Sequence, residues 1–265
     1  MNKKNKQKKP SSSDKHKKAD QYDSGNYNYL EYWDGRDYEH AAEELAIKRL
    51  LKGKHFKQAV DIGGGYGRLC ILLEQYADKV TLAEPSKQQL EIAKVYLKDH
   101  PEISQKLMQA DDLKFKKGTI DLITMIRVMH HLPDPSSEFA EVARALGETG
   151  TFILEIANYA HGRNRIKHML KMQKMPTEPI DIRSPENKRD DEVAFVNHNP
   201  KTVIKQLAHA GLKVDRVLSV SNLRSPTLKK VVPQSIMLSA ETFLQLALAK
   251  TYFGPSVFFL IKKAG

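Results

Sequence analysis

The stretch FKQAVDIGGGYGRL (56–69) reads as a short strand, FKQAVDI, running into a glycine turn, GGGYG (63–67), with a helix behind it through about Gln75. Glycines at such a turn let the backbone fold back tightly and approach a ligand that a Cβ would push away. The start of the following helix presents free N–H groups at the same place. Outward from the turn, strands and helices alternate. KVTLAEP (79–85) is a second strand, and Ser86 with Gln89 forms a capping box for a helix carrying Leu90, Ala93 and Leu97 on one face. GTIDLITMI (118–126) and TFILEIA (151–157) are apolar runs of the kind that a sheet buries on both faces. Between them Asp134-Pro135 starts a helix that turns Phe139, Val142, Ala143 and Leu146 inward and ends at Gly147. Asn199-Pro200 repeats the start signal, with Gly211 as terminator, and LKVDRVLSV (212–220) and SVFFLI (256–261) are the last strands. Apolar spacing (Tyr38, Ala41, Ala42, Leu45) places a helix over Asp37–Leu51, and another falls around Ser239–Lys250. This alternation predicts an α/β fold with a mainly parallel sheet.

The chain has 265 residues, one cysteine and a net charge of +11. A lone Cys70 excludes a disulfide framework and a cysteine-based zinc site, and no metal site is expected; Cys70 itself reads as buried packing. No apolar run is long enough to span a bilayer. MNKKNKQKKP lacks the apolar stretch of a secretory signal, which points to an intracellular, cytoplasmic protein. The charge is localised: residues 1–20 contribute +6 and residues 161–189 contribute +5, so the rest is formally neutral. Residues 1–21 have almost nothing to bury and are expected to be a disordered basic tail. Residues 22–265 form the folded domain, with a basic, lid-like insertion at 158–198 and a second insertion at 222–254.

Three details of the turn select its ligand. The spacing is G-x-G-x-G, with Arg68 where a dinucleotide fingerprint has its third glycine. Asp61 stands two residues before the first glycine, where a carboxylate suits an ammonium and a sulfonium better than a pyrophosphate. Glu84, at the end of the second strand, is placed to accept bonds from ribose hydroxyls. Asp111 and Asp112 follow the third strand, where one of them can accept a bond from an adenine amino group. The spacing, Arg68 and Asp61 favour S-adenosylmethionine over NAD, while Glu84 indicates a ribose without choosing between the two.

AVDIGGGYGRL (59–69), VTLAEPS (80–86), QADDLKF (109–115), TIDLITMIRVMHHLPDP (119–135) and ALGETGTFILEIAN (145–158) together resemble the class I S-adenosylmethionine-dependent methyltransferases, in the type 11 branch that includes quinone-ring methylating enzymes. The resemblance covers residues 56 to 158. It implies a Rossmann-like seven-stranded sheet of order 3-2-1-4-5-7-6 with an antiparallel seventh strand and helices on both faces. It implies that Asp61, Gly63 and Gly65 meet the methionine part and Glu84 the ribose. Asp111 or Asp112 would meet the adenine, in a loop about two residues shorter than usual, and Ile126-Arg127 would line the site. Gly147-Glu148-Thr149-Gly150 replaces the usual K-P-G-G turn.

Methyl transfer is an in-line displacement that needs a general base only when the acceptor must lose a proton. His130 and His131, just beyond the fourth strand, are the candidate bases, or they simply pack the following helix. Tyr38 and Arg36 either cover the cofactor or pack. Asn158-Tyr159 lacks the prolines of the amino-group methyltransferase signature and follows the wrong strand for it. In residues 163–175, Ile166, Met169, Leu170, Met172 and Met175 lie among five cations, the pattern of a basic, loosely amphipathic helix. Such a segment suits a lid over an apolar acceptor, an attraction to an anionic membrane, or a grip on phosphates. The leading expectation is a methyltransferase for a small or lipophilic acceptor. The alternatives are an RNA methyltransferase and a catalytically silent cofactor-binding regulator or assembly factor.

Overall fold

The computed structural model describes residues 33, 35–185, 188 and 194–265. The basic tail, 1–21, lies outside the described residues. The central sheet has seven strands: β1 (Phe56–Ile62), β2 (Ala77–Glu84), β3 (Ile103–Leu107), β4 (Ile120–Met125), β5 (Leu146–Ala157), β8 (Leu212–Val220) and β9 (Ser256–Lys263). They lie in the order β3-β2-β1-β4-β5-β9-β8, which is 3-2-1-4-5-7-6 when only these seven are numbered. β1 to β5 pair in parallel, and β9 runs antiparallel to both its neighbours. Two short strands, β6 (Ile180–Asp181) and β7 (Val196–Asn197), pair separately.

Side chains that alternate along each strand divide between two cores. One face of the sheet presents Ala59, Leu82, Leu122, Ile153, Phe258 and Leu260. They meet Tyr38, Ala42, Ala46, Ile47 and Leu50 of α1 (Asp37–Leu51), Cys70 and Leu73 of α2 (Cys70–Leu73), Ala93 of α3 (Lys87–Tyr96) and Met237. The other face presents Val60, Ile62, Ile123, Met125, Phe152, Leu154, Phe259 and Ile261. Phe139 and Val142 of α4 (Ser136–Ala145) and Val203 and Leu207 of α6 (Pro200–His209) cover it. Each fully buried Leu, Ile or Phe contributes about 1.5–3 kcal/mol, so the two faces jointly fix the register.

Several expected boundaries move. The helix behind the glycine turn shrinks to Cys70–Leu73, preceded by hydrogen-bonded turns. Pro135, not Asp134, is the N-cap of α4, and the Asp134 carboxylate accepts from the Ser136 N–H at 3.2 Å. That helix ends at Ala145, because Leu146 already pairs with Ile120; residues 147–150 then bulge out before Thr151 rejoins the ladder. Only half of the expected capping box forms. Ser86 Oγ accepts from the Gln89 N–H at 3.1 Å, while the buried Gln89 amide is unpaired among the described residues. In the basic insertion, α5 is Gly162–Leu170, shorter than 163–175. In the second insertion, α7 (Pro226–Val231) precedes α8 (Gln234–Ala247), which starts and ends ahead of the expected Ser239–Lys250. At Asn199 the expectation holds: Oδ1 accepts from the Lys201 N–H at 3.0 Å and Gly211 turns the chain at φ +75°.

Candidate functional site

The sheet order reverses between β1 and β4, so their carboxyl ends open the crevice where α/β sheets bind ligands. Gly63, Gly65 and Gly67 all have positive φ (63°, 61° and 86°), a conformation that costs an ordinary side chain about 1 kcal/mol or more. Gly64 is required for a different reason. A Cβ there would collide with Asp61 Oδ2 and sit 2.7 Å from Leu82 Cδ1. The turn is thus folded down onto its own acid.

Asp61 is 1% exposed. Its register neighbour on β4, Thr124, donates to Oδ1 at 2.6 Å, and Cys70 Sγ lies 3.8 Å from Oδ2. Burial pushes the Asp61 carboxyl up to about 6, more than Thr124, Arg68 and Cys70 restore. Glu84 is equally enclosed. Its two oxygens accept the Gly65 N–H and the Ser86 N–H, each at 2.9 Å, tying the glycine turn to the start of α3. A carboxylate keeps lone pairs beyond two such bonds, so Glu84 retains acceptor capacity for hydroxyls.

The structure separates the two aspartates after β3. Asp112 is exposed and paired with Lys114, whereas Asp111 is half-buried. Ile126 is 5% exposed at the end of β4. Arg127 follows at φ +60°, a left-handed conformation uncommon for a residue other than glycine and a form of strain that concentrates at functional sites. Its N–H donates to Glu155 Oε2 at 3.1 Å. Its Nε donates to Glu43 Oε1 at 2.6 Å, and Arg68 Nη2 donates to the other oxygen, Oε2, at 2.7 Å. Both guanidinium groups lie over the Trp33 ring, at 3.7 Å for Arg68 and 4.9 Å for Arg127. Burial raises the Glu43 carboxyl, but the two guanidiniums outweigh it and hold it below the usual carboxylate range.

His130 and His131 form a short 3₁₀ turn, Met129–His131, after β4. Phe195 of the insertion packs on both rings, with centroids 4.5 and 5.7 Å away. His131 Nδ1 is 3.2 Å from the Ala194 carbonyl, and buried His198 bonds the Met129 carbonyl at 2.8 Å. The insertion is therefore anchored on the turn that carries the two histidines. Burial, with His131, Arg127 and His198 nearby, holds His130 well below the usual imidazole range, so it is neutral at pH 7.

Tyr38 packs rather than covers the site: its hydroxyl donates to buried Glu241 at 2.8 Å and accepts from the Leu223 N–H. Asn158 is a structural latch, its amide donating to the Tyr252 and Gly254 carbonyls, each at 2.7 Å. Sequence reasoning missed Glu43, Thr124, Glu155 and Trp33. Three of them carried a signal: Glu43 on the apolar side of α1, and Thr124 and Glu155 as the polar residues inside otherwise apolar strands.

A family model described as "Methyltransferase domain" matches residues 32–217, and the chain belongs to that family. The sheet order above is that of the class I methyltransferase fold. Among curated relatives, the chain is 28% identical over 105 residues to the Bacillus subtilis protein named "Uncharacterized methyltransferase YcgJ", covering 39% of this chain and 41% of that one. It is 27% identical over 153 residues to the ubiquinone biosynthesis O-methyltransferase of Hydrogenovibrio crunogenus, covering 54% and 64%. The matches thus span less than two thirds of these relatives. Among solved structures, the protein bound to the Trm112 methyltransferase activator of Haloferax volcanii shares the fold, with TM-score 0.62, 16% identity, and coverage of 93% of this chain and 98% of that one.

Proposed function

We propose that this protein moves a methyl group from S-adenosylmethionine to a small, lipophilic acceptor by in-line displacement. The observation that carries the reading is the charge distribution of the glycine turn. Carboxylates of Asp61 and Glu84 lie under and beside it, while the nearby cations, Arg68 and Arg127, are spent on Glu43. A pyrophosphate would meet acids here; a sulfonium with an ammonium meets opposite charge. The bound cofactor supplies an electrophilic methyl group on sulfur.

In this reading Asp61, Gly63 and Gly65 hold the methionine part, with Asp61 acting through the shape of the turn as well as its charge. Glu84 takes the ribose hydroxyls, and Asp111 rather than Asp112 takes the adenine, because Asp112 is committed to Lys114. Ile126 and Arg127 line the crevice and exclude water. His130, neutral and without a hydrogen bond to its ring nitrogens among the described residues, takes the acceptor's proton when the acceptor is a hydroxyl. His131, held by the Ala194 carbonyl, positions the insertion. The ubiquinone-pathway relative supports a lipophilic acceptor.

The test is to incubate the protein with methyl-labelled S-adenosylmethionine and cell lysate resolved into lipid, RNA, protein and small-molecule fractions, beside an Asp61→Ala control. Label in the lipid or small-molecule fraction, absent from the control, is expected. Label in RNA would replace the acceptor class, and cofactor binding without label in any fraction would remove the transfer step.

A further inference from the structure

Helix α5 is built inside out. At about 100° per residue, Ile166, Met169 and Leu170 share one narrow stripe, which in a surface helix normally faces the core. Here it faces solvent: Ile166 is 54% exposed, Met169 69% and Leu170 76%, and Met172 just beyond is 96% exposed. The polar side faces the protein instead. Asn164 Nδ2 donates to the Tyr159 carbonyl at 2.8 Å, and the His168 ring lies edge-on to Tyr159. Gly162 is buried so closely against Phe253 that a Cβ would sit 2.6 Å from Cζ. The helix is thus seated by its polar face and its glycine, and its apolar stripe is left outward.

The charges beside the stripe are of one sign. Residues 158–177 contain Arg163, Arg165, Lys167, Lys171 and Lys174 and no acid. Arg163, Lys167 and Lys171 follow the stripe at helical spacing. With Ile166 and Leu170 they border an open recess of about 580 Å³. Phosphates alone would be met by cations without outward Ile, Met and Leu, and a protein groove would call for five cations with no acid only if it were itself strongly acidic. Aliphatic side chains flanked by cations are the composition of a helix that lies in a lipid interface.

We propose that α5 is an interfacial anchor that seats this protein on an anionic lipid surface, its Ile166, Met169 and Leu170 entering the acyl boundary and its Arg and Lys residues meeting lipid phosphates. The proposal does not depend on the methyl acceptor. Because α5 follows β5 at the ligand edge of the sheet, the anchor places the crevice near the lipid.

The test is sedimentation of the full-length protein, without cofactor, with vesicles of phosphatidylglycerol and phosphatidylcholine in equal parts or of phosphatidylcholine alone. Binding to the anionic vesicles is expected. A Met169→Ser/Leu170→Ser double variant should weaken it roughly tenfold or more. Lys167→Gln/Lys171→Gln should weaken it by a similar factor, through the loss of two cations near the surface. These side chains are exposed, so unchanged circular dichroism and unchanged binding of S-adenosylmethionine are expected. Full vesicle binding by the serine variant would assign the attraction to the basic tail and overturn the proposal. So would wild-type protein that ignores anionic vesicles, with or without binding to a single-stranded RNA.

Discussion

Replacing Asp61 by Asn separates stability from ligand binding in a way that only a buried functional acid does. The Asp61 carboxyl is raised from 3.8 to about 6 by burial. In the window from about pH 4 to 6 the native state therefore holds this proton more tightly than the unfolded chain. Stability from this group falls as pH rises through that window, and the penalty is complete above it. At about 1.4 kcal/mol per pH unit, keeping Asp61 ionised at pH 7.5 costs about 3 kcal/mol. Asn keeps an oxygen for the Thr124 hydroxyl but places an NH₂ near Cys70 Sγ, a weak acceptor. The Asn variant is thus expected to be more stable at pH 7.5 by about 1–3 kcal/mol, with the gain disappearing near pH 4. Urea unfolding of both proteins across pH 4 to 8 measures it. Calorimetric titration with S-adenosylmethionine should show the opposite effect. Losing a charge-assisted contact costs about 1.5–3 kcal/mol, or roughly ten- to hundredfold in affinity. The wild-type affinity should also decline as pH falls below 6, because protonated Asp61 must first ionise, whereas the variant's should be flat. An Asn variant less stable than wild type at pH 7.5, or equally able to bind the cofactor, would refute the assignment of Asp61 as an acid kept ionised for a cationic ligand.

Glu43→Ala leaves Arg68 and Arg127 side by side with no shared carboxylate. The loss should be about 3 kcal/mol, seen calorimetrically as a melting point lower by about 6–12 °C. Gly64→Ala puts a methyl group onto Asp61 and Leu82 and should cost about 1–3 kcal/mol by overpacking; its measurable mark is weakened cofactor binding in a chain that still melts cooperatively. With an acceptor in hand, His130→Asn should lower kcat by about 10²–10⁴ with little change in KM, while His131→Asn should not. Because the His130 imidazole is held well below its usual range, the wild-type kcat should be level through neutral pH and fall only as acid protonates the ring.

The fold was legible because short apolar runs and turn chemistry are local signals. FKQAVDI and LKVDRVLSV are strands over the residues that their sequences indicate, and Asn199-Pro200 starts its helix where side-chain capping requires. Misplaced boundaries arose where tertiary pairing competed with local preference. Leu146 satisfies the helical spacing of α4, yet Ile120 draws it into the sheet. The helix around Ser239 extends back to Gln234 because Met237, Glu241 and Gln245 form its buried stripe against α1 and β8, contacts that no local signal contains.

For the site, the glycine turn and its acids stand out in the sequence because the role proposed for them depends on backbone conformation and on spacing along one strand–turn–helix unit. What those acids are bonded to depends on residues far away in the chain. Thr124 reaches Asp61 across the ladder between β1 and β4, and Glu43 collects Arg68 and Arg127 from two separate loops. Phe195 meets the His130–His131 turn from across the insertion. The same holds for α5. Its sequence states that it is amphipathic and basic, and only the packing of Gly162 and Asn164 decides that the apolar side faces outward. Local sequence determines which groups are present and how the backbone turns beneath them. Long-range packing determines which are neutralised, which are buried at a cost, and which remain to meet a ligand.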